Sequence, residues 1–146
     1  GDELGQINDH SYEADVHLRH DGRWMHRPKM DWTKAGRRND QATIEGRIYA
    51  GLRHILGRRR ATAHIHAANP VSILDLGIDG IFAFARKSPV GPLVCLFNFS
   101  ERWQSIPRSS LEAAGVTEWF DRLANAAVTL QHNTLPFPPQ GRIWLT

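Results

Sequence analysis

From residue 71 onward, short apolar runs alternate with turn formers, and few folds tolerate that pattern. The runs 71–76, 81–87 and 93–99 are separated by Asp79-Gly80 and by Pro89-Val90-Gly91-Pro92. Gly and Pro at these places stop a strand and reverse the chain, because Gly reaches backbone angles closed to other residues and Pro donates no hydrogen bond. Further runs at 103–106, 119–123, 127–130 and 142–145 follow at similar spacing, with no long helix between them. The spacing predicts an antiparallel β-sandwich.

A different period precedes the strands. Ile44, Ile48, Leu52, Ile55 and Leu56 fall on one stripe of a helix, with Tyr49 beside it. Asn39 or Asp40 is placed to cap the start, and Arg58-Arg59-Arg60 occupies the last turn, where cations complement the helix dipole. The helix is expected over about residues 40–58. Its stripe needs a cover, either from the sandwich or from another chain.

Residues 1–40 have no apolar period, and turn formers recur at Asn8-Asp9, Asp21-Gly22 and Gly36. They read as one long structured loop, since Trp24 and Trp32 are unlike the composition of disordered chain. Around Pro28 the loop gathers Arg23, Trp24, His26, Arg27 and Trp32. Arg presents a planar fork of donors suited to carboxylates and hydroxyls, and Trp presents a flat apolar face on which a sugar ring can lie. This stretch therefore reads as part of a sugar-binding wall.

Composition narrows the class. With 146 residues, 41% hydrophobic and 23% charged, the chain suffices for one core, or for one small domain and part of another. No apolar window is long enough to cross a bilayer, and Gly1-Asp2-Glu3-Leu4-Gly5 is acidic where a secretory signal is basic. A start on Gly1 rather than Met suggests that residues precede it. No signal fixes the compartment, so cytoplasmic and exported locations both stay open. The lone Cys95 cannot form an internal disulfide and reads as a small buried hydrophobe on a strand. A net charge of +3 is too modest to name nucleic acid as a partner.

Taken in order, these residues resemble a family. Gly1-Asp2-Glu3-Leu4-Gly5, Asn8-Asp9 and Arg23 through Trp32 are similar to the segment after the eighth barrel strand in amylosucrases and the related sucrose hydrolases. Those enzymes belong to glycoside hydrolase family 13, the α-amylase family. The resemblance implies that residues 1–62 are the end of a catalytic (β/α)8 TIM barrel, with an active-site loop at 1–40 and the last barrel helix at about 40–58. Residues 70–146 would be the C-terminal β-sandwich, closed by a proline-rich hairpin running from Leu135-Pro136-Phe137-Pro138-Pro139 to Trp144-Leu145.

The implied enzyme opens sucrose through a β-glucosyl intermediate and passes glucose to an α-glucan or to water. Such retaining chemistry needs two carboxyl groups about 5–5.5 Å apart. In the family those groups lie upstream of this segment, so no catalytic residue is expected here and the chain alone should be inactive. The Arg-x-x-Met-x-Trp arrangement of the family is matched by Arg27 through Trp32. It assigns Arg27 to the glucose subsite, paired with an upstream Asp. Asn8, Asp9, Trp24 and His26 are further candidates for sugar contact, and Asp2, Glu3 and Asn8 for the barrel mouth. No cofactor and no metal is implied; sucrose, the glucan acceptor and the upstream barrel are the expected partners, with no nucleic acid and no membrane.

Plainer readings stand beside these. Arg27 also fits an ion pair that only tethers the loop, and Trp24 and Trp32 fit packing anchors. His64-x-His66 would present two imidazoles on one side of a strand, but lacks further zinc ligands. His10, His17 and His20 follow no ligand spacing. Arg37-Arg38 and Arg58-Arg59-Arg60 come without a nucleic-acid-binding motif. Glu13 and Asp21 have no apolar surroundings that would raise a carboxyl pKa. A stand-alone carbohydrate-binding sandwich and a basic interaction protein remain as alternatives to the enzyme segment.

Overall fold

The computed structural model describes residues 1–146, in two compact units, Gly1–Leu56 and Gly57–Thr146. The first unit contains three single 3-10 turns, Asp2–Leu4, Ser11–Ala14 and Gly22–His26, and a short helix α1, Trp32–Gly36. Aspartates build this irregular chain. Asp9, Asp15, Asp21, Asp31 and Asp40 each accept a hydrogen bond from the backbone N–H two residues later, at 2.8 to 3.0 Å. Each carboxylate starts one turn. Of these five aspartates, Asp31 is the one that caps a helix, α1.

The long helix α2, Ile44–Ala61, begins with the first residue of its stripe, later than the expected start near 40, and ends beyond 58. Its cap is Thr43, whose Oγ1 accepts from Gly46 N at 3.1 Å; Asp40 instead braces the turn ahead of it. A glycine is required at Gly46, because a Cβ there would overlap the carbonyl oxygen of Asp40. Beside this cap, Arg37 donates to the largely buried Glu45 at 3.0 Å. The apolar stripe is covered in part: Ile48 and Ile55 are half-buried, while Ile44 is 59% exposed and Leu56 56%.

The second unit is mostly β. Strands β1 (Val71–Leu74), β2 (Ile81–Ser88), β3 (Gly91–Asn98), β4 (Gln104–Pro107), β5 (Phe120–Asp121), β6 (Ala126–Ala127), β7 (Thr134–Phe137) and β8 (Arg142–Leu145) form two antiparallel sheets. One has the order β1-β2-β3-β8-β5-β6, and the other pairs β4 with β7. A short helix α3, Arg108–Ala113, follows β4. Sequence periodicity missed it, although Arg108 and Glu112 form an i,i+4 ion pair at 2.7 Å.

Strand register explains the core. Ala83, Leu96 and Ile143 are directly opposite one another across β2, β3 and β8, and Ala85, Val94 and Leu145 form the next row. These rows point inward to meet Ile106, Leu135 and Phe137 of the small sheet and Leu111 of α3, giving one buried cluster. The closing segment is not a hairpin. β7 pairs with β4 and β8 with β3 and β5, so Pro138 to Gly141 carry the chain from one sheet to the other. Alternation forces this, since the apolar residues of both strands must face the same core from opposite sides.

The opposite face of the large sheet bears Phe82, Phe84, Cys95, Phe97 and Trp144. Phe84 and Phe97 stack with centroids 6.1 Å apart, and Phe97 and Phe99 with centroids 6.3 Å apart. The connector after α2 is tied to this face by Arg86, which lies opposite Leu93 and donates to His66 O at 2.9 Å, and the last turns of α2 are tied to the same unit by Arg58, which donates to Arg122 O at 2.7 Å. Cys95 is 2% exposed, and burial pushes its thiol up to about 12.

Candidate functional site

The loop that carries Arg27 folds around a cleft of about 350 Å³ within the first unit. Gly1, Asp2, Gln6, Ile7, Asn8, His26, Arg27, Pro28 and Met30 line it. Two strands of loop are clamped to form it: Asp9 N donates to Met25 O at 2.9 Å, and Gln6 Nε2 donates to Lys29 O at 2.6 Å. Pro28 keeps residue 27 out of helical geometry, which ends the 3-10 turn at His26 and swings the next side chain outward.

Arg27 is exposed at the rim. Its guanidinium lies over the Trp24 ring at 5.9 Å and makes no hydrogen bond or ion pair with the chain. Trp24, only 36% exposed, thus serves as a flat support that restricts Arg27 without using its donors. His26 Nδ1 and Asn8 Oδ1 are 3.2 Å apart, holding these two polar groups on the same wall.

The neighbouring carboxylates are occupied locally. Asp21 chelates Arg23, with Arg23 Nη2 to Asp21 Oδ2 at 2.7 Å, and this contact draws the Asp21 carboxyl down to about 2. Asp9 is also held below its usual range, by hydrogen bonds from Ser11, its side chain first and its backbone second. Glu3 is lowered by its own backbone hydrogen bond and by the N-terminal ammonium at 3.0 Å. Glu13 pairs with His10 at 2.9 Å, so Glu13 and Asp21 do not act as a pair. Asp2 is the carboxylate that lines the cleft. The cleft offers donors for binding.

Of the residues singled out from the sequence, Arg27, His26, Asn8 and Asp2 line one cleft. Trp24 acts from beneath Arg27, Asp9 turns its carboxylate to Ser11, and Trp32 is 79% exposed at the start of α1. Gln6 was missed as a wall residue, whereas Met30 lay within the Arg27-to-Trp32 motif; both line the cleft. Their proximity follows from a bond across 23 positions that no local spacing announces. His64 is buried while His66 is exposed, so the two imidazoles do not share an environment.

Fold and cleft together define a class: an antiparallel β-sandwich preceded by a helix and by a loop unit with a polar, arginine-bearing cleft. Residues 79–146 match the family model of the amylosucrase C-terminal domain, and the C-terminal portion of the chain is accordingly amylosucrase-like. The match begins at the turn ahead of β2 and takes in β2 to β8.

Proposed function

We propose that this chain acts as the C-terminal segment of a sucrose-cleaving enzyme of the amylosucrase type, a member of glycoside hydrolase family 13. In this reading the first unit is the end of a (β/α)8 barrel, with α2 its last helix and the Arg27 cleft one wall of the glucose subsite. The sandwich is its structural companion. Glucose passes to an α-glucan in an amylosucrase or to water in a sucrose hydrolase, and the catalytic carboxylates come from upstream.

The observation that carries this reading is the state of Arg27. It is positioned by Trp24, exposed in a polar cleft, and has its whole donor fork unused. A guanidinium so placed is ready for a carboxylate supplied from elsewhere, and the pair would close the pocket around one terminal glucose. In the enzyme carrying this segment, Arg27→Ala should lower sucrose turnover by about a hundredfold or more while the fold persists. Near-normal turnover would remove Arg27 from the site.

A second reading, a non-catalytic carbohydrate-binding module, draws on the row of rings on the sheet. Phe82 is 41% exposed and Phe99 68%, and a sugar can stack on such rings. Calorimetric titration of maltooligosaccharide into the chain, compared with Phe99→Ala, separates the two. Saturable binding lost in the variant would favour the module.

A further inference from the structure

A second cleft, separate from the Arg27 wall, lies beside the start of α2 in the first unit. It has a volume of about 420 Å³, and its lining includes Arg38, Arg53, His54, Asn39, Gln41 and Tyr49. Its lining residues include no Asp or Glu. The carboxylates nearest in sequence are engaged elsewhere: Asp40 Oδ1 accepts from Ala42 N at 3.0 Å, and Glu45 accepts from Arg37 at 3.0 Å. Positive charge in this cleft is therefore not neutralised by its own walls.

Both arginines are restrained without being consumed. Arg38 donates through one Nη1 to Ala35 O at 3.1 Å, which fixes the guanidinium plane and leaves its other donors open. Arg53 lies over the Tyr49 ring at 5.8 Å, a contact that orients the fork and uses none of its N–H groups. The amides of Asn39 and Gln41 add neutral donors on the same cleft. Restrained planar forks match the oxygens of a tetrahedral anion better than freely moving cations do, because less rotamer freedom is lost on binding.

We propose that this cleft binds a phosphate group, gripped by Arg38 and Arg53. Arg37 and Arg38 are adjacent in sequence. The fold instead separates the two neighbours, giving Arg37 to Glu45 and Arg38 to the cleft. A sugar phosphate would place its phosphoryl oxygens at the two arginines and its sugar hydroxyls toward Asn39 and Gln41.

The test is titration of the full chain with inorganic phosphate at constant ionic strength set by chloride, followed by amide NMR. Saturable shifts confined to residues 38–41 and 49–54 are expected. Arg53→Ala and Arg38→Ala should each weaken binding about tenfold or more, the loss of one charge-assisted contact. Arg59→Ala, an exposed arginine outside the cleft, should leave binding unchanged. Arg53→Lys keeps the charge but not the fork and should fall between, which preserves the test if the alanine variant folds poorly. Hexose phosphate binding tighter than inorganic phosphate would assign the ester, and equal affinity the free ion. Non-saturating shifts, an equal response to chloride alone, or an Arg53 variant no weaker than the Arg59 variant would overturn the proposal.

Discussion

The side-chain amide of Asn98, at the end of β3, donates to the carbonyl oxygen of Pro138 at 2.8 Å, just past the end of β7. It thereby ties the large sheet to the strand that leaves the small one. The same amide reaches Arg102 O at 2.8 Å, and Asn98 Oδ1 accepts from Ser100 N and Ser100 Oγ at 2.9 and 2.7 Å. At 2% exposure, every polar atom of this side chain is used. Asn98→Ala strands several buried groups at once and should cost on the order of 3 kcal/mol in chemical denaturation. A loss under about 1 kcal/mol would mean that water replaces the amide.

Two glycines of one helix should respond with opposite signs. Gly46 meets Asp40 backbone where a Cβ would go, whereas Gly51 has open space around it. Gly51→Ala should stabilise the helix by about 0.5–1 kcal/mol, the ordinary propensity difference. Gly46→Ala should destabilise it, forcing the turn at Asp40 away from Thr43. Helical ellipticity against temperature reads both, and stabilisation by Gly46→Ala would remove the packed cap.

The Asp21–Arg23 chelate gives a pH dependence with a defined sign. The Asp21 carboxyl is drawn from 3.8 to about 2, so the turn it starts is favoured above 3.8 and loses that support as pH falls from 3.8 toward 2. Carboxyl-carbon NMR should place the titration near 2 in the native chain. In Arg23→Gln the midpoint should move up toward 3.8, because the side-chain hydrogen bond from Arg23 is the largest cause of the shift.

Cys95 should be silent toward thiol reagents in the folded protein. A thiol at about 12 holds almost no thiolate at neutral pH, and the sulfur is enclosed between strands. Its labelling rate should follow the opening of β3 and rise with denaturant. Rapid labelling of native protein would show that the face bearing Trp144 opens locally.

What the sequence disclosed follows from the range of the forces involved. The stripe Ile44 to Leu56 and the alternation of Ile81 to Lys87 are local periods, and both gave elements of the right type. The cap is Thr43 rather than Asn39 or Asp40: the Asp40 carboxylate is taken by Ala42 N in the preceding turn, and the Asp40 carbonyl lies close against Gly46. The hairpin expected at the end dissolved for a similar reason: β7 and β8 are neighbours in sequence, but their partners are β4 and β3. In the cleft, Arg27 and His26 lay in one readable motif. Trp24 lay in the same stretch, three residues before the Arg27 it supports, whereas Gln6 acquired its place through Lys29 O, a relation that no spacing encodes.

β8 occupies an interior place in the large sheet, between β3 and β5, although it is the last strand in sequence order. Until residues 142–145 arrive, β3 has one unpaired side and β5 has no sheet to join. Completion of the large sheet during synthesis therefore waits until β8 has emerged, and β1 to β3 stand until then as a three-stranded ribbon with β3 at an open edge. A nascent chain stalled before Arg142 would offer that edge to any passing strand.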